Sequence, residues 1–104
     1  MNLNVPELIL NCIHELVSLF IGNRVKKLKL VGCECLPIVE LANENHFFEK
    51  VILIRMNLDD YSIFKNTNKL FLESCKIDNI SEFQNIPYLH IMDCFGIKLS
   101  WNWI

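Results

Sequence analysis

A short pattern recurs along this chain and limits what it can fold into. "LKLVGCECL" begins at Leu28, "VILIRMNLD" at Val51, "LFLESCKID" at Leu70 and "LHIMDCFGI" at Leu89. The second apolar anchors are Leu30, Leu53, Leu72 and Ile91, and a Cys/Met position follows at Cys33, Met56, Cys75 and Cys94. Both sets repeat at spacings of 23, 19 and 19 residues. Four copies in one register predict a solenoid of stacked units, none of which can bury its apolar face alone. Alternation within each copy predicts a short strand with the leucines inward. Between strands the apolar residues step by three: Leu58, Tyr61, Phe64, and then Ile77, Ile80, Phe83, Ile86, Leu89. A step of three predicts a short 3₁₀ or irregular return rather than a long α-helix.

The pattern L–x–x–L–x–L–x–x–C/N–x–L resembles a leucine-rich repeat, over roughly residues 25–99. The units lie at the short end of the family's ~20–29 residues. Met56 stands where Cys or Asn is usual, and Phe95-Gly96-Ile97 replaces one tidy apolar position. The resemblance implies an α/β solenoid of about four short parallel strands, with the turn cysteines Cys33, Cys75 and Cys94 as small buried residues. It also implies that the solvent face of the sheet binds protein.

Residues 5–21 read as a helix. Leu8, Ile9, Cys12, Ile13, Leu16, Leu19 and Phe20 form one apolar stripe at helical spacing. Asn4 is placed to cap its start and Gly22-Asn23 to stop it. The helix is expected to cover the open end of the first repeat. "VPELILNCIHEL" (5–16) also resembles the first helix of an F-box. That resemblance implies a substrate adaptor that docks a Skp-type partner through Leu8, Ile9, Ile13 and Leu16. An F-box needs two more helices, and here the repeat strand begins at Val25. At the other end, Leu99, Trp101 and Trp103 alternate, either as a cap over residues 100–104 or as an apolar end that self-associates.

With 104 residues, the chain is expected to be one domain (1–104): helix 5–21, repeats 25–99, cap 100–104. Apolar residues make up 52%, enough for a core, and the formal net charge of −2 does not favour nucleic acid. The most apolar run, residues 8–21, is too short to span a membrane and contains Asn11, His14 and Glu15. Glu7 stands where a secretory leader would be basic, so a cytoplasmic setting is expected. Five cysteines, an odd number, argue against a disulfide framework. Cys33 and Cys35 with His14, His46 or His90 would make a metal site, but a lone Cys-x-Cys is weak, and buried packing is the expectation. Phosphate-loop, nucleophile-elbow and zinc-protease motifs are missing from the sequence. Asp59-Asp60 fits a turn. No cofactor or enzymatic activity is expected.

The repeat register sorts the outward residues into three rows. The first is Lys27, Lys50, Lys69, Tyr88; the second Lys29, Ile52, Phe71, His90; the third Val31, Ile54, Glu73, Met92. A basic row beside an apolar patch predicts a protein-binding face. Its expected residues are Lys27, Lys29, Lys50, Ile52, Ile54, Lys69, Phe71, Tyr88, His90 and Met92, and the expected partner has an acidic rim. His90 lies on the open face, where a solvated histidine is the expectation. A one-residue slip would exchange the two faces. The alternatives to a binding module are the F-box-like adaptor and a scaffold fragment of a larger assembly.

Overall fold

A computed structural model describes residues 2–11, 18–32, 38–58, 61–77 and 80–96. The chain winds as a parallel β-solenoid. Its front sheet has five strands in the order β2 (Glu7–Asn11), β4 (Lys27–Val31), β6 (Phe48–Ile54), β7 (Thr67–Glu73) and β8 (Tyr88–Met92). The back sheet is shorter: β1 (Asn2–Leu3), β3 (Ser18–Ile21) and β5 (Ile38–Leu41). Front and back strands alternate along the chain. After β6 and β7 the return passes through 3₁₀ turns instead, η1 (Ser62–Phe64) and η2 (Ile80–Phe83).

The register of the front sheet follows the repeat residue for residue. Leu28 pairs with Val51, Val51 with Leu70, and Leu70 with Leu89. The row one step along, Leu30, Leu53, Leu72 and Ile91, is paired in the same way. Leu28, Leu30, Val51, Leu53, Leu70 and Leu72 are buried, while Leu89 and Ile91 in the last strand are half-buried. A third inward column precedes them: Val25, Phe48, Thr67 and Ile86, all buried. Among the described residues, Thr67 Oγ1 is the buried side-chain polar atom without a hydrogen-bond partner.

Each of the last four front strands is followed by a residue in the left-handed region: Gly32 (φ 58°), Arg55 (55°), Ser74 (53°) and Asp93 (55°). This conformation turns the chain out of the sheet, and only glycine adopts it without steric cost. The ladder continues through these corners. The Gly32 amide donates to the Ile54 carbonyl at 2.7 Å, Arg55 to Glu73 at 2.8 Å, and Ser74 to Met92 at 2.9 Å. The next residue points inward: Met56 and Cys75 are buried and Cys94 is half-buried. Cys33 and Cys35 lie outside the described residues.

The returns follow their own periodicity. Leu19 and Ile21 alternate with the exposed Phe20, and Val39 and Leu41 with the exposed Glu40, giving strands. Tyr61 and Phe64 stand three apart and eclipse on the 3₁₀ turn, both buried. The Tyr61 hydroxyl accepts from the Leu58 amide at 3.2 Å and donates toward the Lys76 carbonyl at 2.8 Å, with the Met56 carbonyl at 3.2 Å. One side chain thus ties successive units together.

Two expectations are corrected. The fold is a β-solenoid, not α/β: the described returns are strands or 3₁₀ turns, and β2 joins the four expected strands in the front sheet. The expected capping helix over residues 5–21 is replaced by β2 and β3 where the chain is described. Glu7–Asn11 pairs in parallel with Lys27–Val31, Leu8 opposite Leu28 and Leu10 opposite Leu30. Asn4 does not cap a helix. Its Oδ1 accepts the Arg24 amide at 2.7 Å, and a Cβ at Gly22 would overlap its side chain. Ile13 and Leu16, and the tryptophans expected to form a C-terminal cap, lie outside the described residues.

Strand and helix give opposite expectations for two neighbours. Leu10 is buried, and Ile9 is 53% exposed. Leu10→Ala, like Leu72→Ala, is expected to cost about 2–5 kcal/mol in urea denaturation. Ile9→Thr should fall within about 0.5 kcal/mol of wild type. A helix with Ile9 in its apolar stripe would reverse that order.

Candidate functional site

The outward face of the front sheet is built from the residues between the inward leucines. Strand pleating sends them all to one side. Parallel pairing then aligns them in rows across the stack. The first row is Glu7, Lys27, Lys50, Lys69 and Tyr88. The second is Ile9, Lys29, Ile52, Phe71 and His90, and the third Asn11, Val31, Ile54, Glu73 and Met92. The ten residues expected from the sequence therefore stand together on one sheet face. Glu7, Ile9 and Asn11 extend it by a strand. Sequence reasoning missed them because residues 7–11 were assigned to a helix. The signal was present: "ELILN" stands 20 residues before "KLKLV" with the same alternation.

The face divides into two parts. Toward β2, a cleft of about 150 Å³ is lined by Glu7, Ile9, Lys27, Lys29, Lys50 and Ile52, with Leu8 and Leu28 at its floor. Toward β8, Phe71 lies 5.5 Å from Tyr88 and 5.9 Å from His90, ring centre to ring centre. Lys50 Nζ sits 5.4 Å above the Phe71 ring, within cation–π range, and joins the two parts. Tyr88 and Met92 are 50% and 43% exposed. Ile52, Ile54 and Phe71 are half-buried.

Other candidate groups have structural surroundings. His46 is buried, donates from Nε2 to the Val25 carbonyl at 2.6 Å and packs edge-on against Phe48. His90 is exposed on the sheet face. The Cys75 Sγ lies 3.3 Å from the Leu53 carbonyl and 3.4 Å from the Glu73 carbonyl, and Cys94 lies 3.6 Å from the Met92 carbonyl in the same position one strand on. Desolvation pushes the Cys75 thiol from about 9.0 up to about 11, so it stays neutral and is a poor nucleophile. Among the described residues, no group of three or more His, Cys, Asp or Glu side chains is placed to hold a metal. His14 and Asp59-Asp60 lie outside them.

The stripe expected to dock a Skp-type adaptor does not form over the described residues. Leu8 points into the core and Ile9 out of it. None of the described helices is long and apolar enough to cross a membrane. The chain matches no known family model, no curated protein and no solved structure, so its function is read from its own residues.

The buried thiol carries a pH prediction. The folded state holds the Cys75 proton more tightly than the unfolded state. That contribution is complete below about pH 9 and is lost as pH rises toward 11. Unfolding free energies from urea titrations at pH 8 and pH 10.5 should therefore fall further for wild type than for Cys75→Ala, by on the order of 2 kcal/mol. Equal falls would mean that Cys75 is not buried.

Proposed function

We propose that this chain is a non-enzymatic interaction module, a leucine-rich-repeat-like solenoid that binds another protein through the outward face of its front sheet. The observation that carries this reading is the contiguous apolar patch of Val31, Ile52, Ile54, Phe71 and Met92, bordered by the Lys27–Lys50–Lys69 row. Scattered exposed apolar residues are ordinary, but a contiguous patch rimmed by charge has the anatomy of an interface. The continuous parallel register holds these side chains at fixed spacings on the backbone ladder, so the positions a partner meets are set before it binds. The remaining polar chemistry supports the same view. His46, Tyr61 and Cys75 have backbone partners inside the stack, whereas the sheet face presents charged and aromatic side chains outward.

The test is affinity capture with immobilised wild type and an Ile52→Glu/Phe71→Glu variant, each first shown to be folded by circular dichroism. A partner identified by mass spectrometry should bind the wild type and be reduced at least tenfold on the variant. Retention of the same partner by the folded variant would contradict the reading.

A further inference from the structure

We infer that the sheet face recognises an extended acidic segment that crosses the strands, with its carboxylates in the Lys27–Lys29–Lys50 cleft and an aromatic side chain on the Phe71–Tyr88 shelf. This rests on the reading of the sheet face as a protein-binding surface and specifies its partner. The charge argument is local. Lys27 stands directly opposite Lys50, and Lys50 opposite Lys69. Like charges opposite one another destabilise a sheet. Three lysines line the cleft against one carboxylate, Glu7, while the chain as a whole carries −2. A local excess of positive charge on an acidic chain selects an anionic ligand and is relieved by one.

The geometry narrows that ligand. The basic cleft spans β2, β4 and β6, and the aromatic shelf spans β7 and β8. From the β4–β6 boundary to the β7–β8 boundary is two strand spacings, roughly 10 Å. A peptide in the polyproline II conformation, at about 3.1 Å per residue and three residues per turn, covers that distance in about three residues and brings the two side chains to the same side. The matching sequence is therefore an acidic residue followed at the third position by an aromatic one, running along the stack rather than along a strand. Glu7 stands at the β2 end of the lysine row, and Glu73 stands on β7 beside the path, between Ile54 and Met92 in the third row. Two fixed carboxylates there disfavour a continuous phosphate backbone, and Phe71 and Tyr88 offer an apolar shelf that a charged lipid headgroup would not use.

The experiment uses fluorescein-labelled twelve-residue peptides in fluorescence anisotropy with the full chain. The first carries two adjacent glutamates with a tryptophan three positions after the second. One control replaces the glutamates with glutamines, and another moves the tryptophan next to them. The expected result is saturable binding of the first peptide, at least tenfold weaker for the glutamine control and at least fivefold weaker for the altered spacing. Lys27→Gln should weaken binding severalfold without lowering the urea midpoint, because it also relieves the lysine row. Glu7→Gln should tighten binding about two- to threefold, a gain that a merely structural role for these residues would not give. Tyr88→Ala should abolish the advantage of the tryptophan. The inference is overturned if the first peptide does not bind at about 1 mM, or if glutamine and glutamate peptides bind alike. It is also overturned if a single-stranded oligonucleotide or phosphatidylserine vesicles bind more tightly than the peptide. Loss of peptide binding while a partner is still captured in a face-dependent way would remove this inference alone. Capture that ignores Ile52→Glu/Phe71→Glu would remove both.

Discussion

Two inward columns hold the rest of the molecule in place: Leu8, Leu28, Val51, Leu70, Leu89, and beside them Leu10, Leu30, Leu53, Leu72, Ile91. Side chains alternate across a strand, so a slip of one residue would expose a whole strand's leucines and bury its lysines. The apolar columns therefore set the register more strongly than the hydrogen bonds, which any register would make. Once the register is set, the outward rows follow. The lysines, the isoleucines and the Phe71 cluster are where they are because the leucines are inside.

The turns serve the same stacking. A left-handed residue after each of β4, β6, β7 and β8 sends the chain out of the sheet at the same level every time. Glycine takes this position only at Gly32. Arg55, Ser74 and Asp93 accept a cost on the order of 1–2 kcal/mol each, offset by the buried Met56 and Cys75 and the half-buried Cys94 that the turn delivers to the core. Thr67 shows a local mismatch of the opposite kind. It occupies the column of Val25, Phe48 and Ile86, where its methyl group packs and its hydroxyl finds no partner.

Much of this was legible in the sequence, and the failures are instructive. The spacings of 23, 19 and 19 gave the register of β4, β6, β7 and β8, and with it the rows of the candidate face. The three-residue step at Tyr61 and Phe64 gave the 3₁₀ return. The N-terminal segment was misread because "ELILNCIHELVSLFI" satisfies two periods at once. Leu8, Ile9, Cys12, Ile13 and Leu16 fit a helix, and Leu8 with Leu10, then Leu19 with Ile21, fit strands. Local pattern cannot choose between them. The choice falls to a non-local term, the pairing of Glu7–Asn11 with Lys27–Val31, which extends both apolar columns by one residue. Val39 and Leu41 were missed for a related reason: a four-residue alternation is too short to stand out, and β5 exists because β3 is beside it.

β2, as the first strand of the front sheet, decides both the class of fold and the extent of the basic cleft. Nuclear Overhauser spectroscopy on labelled protein tests that placement directly. Cross-strand contacts between backbone protons of Leu8–Leu10 and Leu28–Leu30 are expected, continuing the series that links Leu28, Val51, Leu70 and Leu89. A run of sequential amide–amide contacts through residues 5–21, with nothing crossing to Leu28, would show a helix there and contradict it.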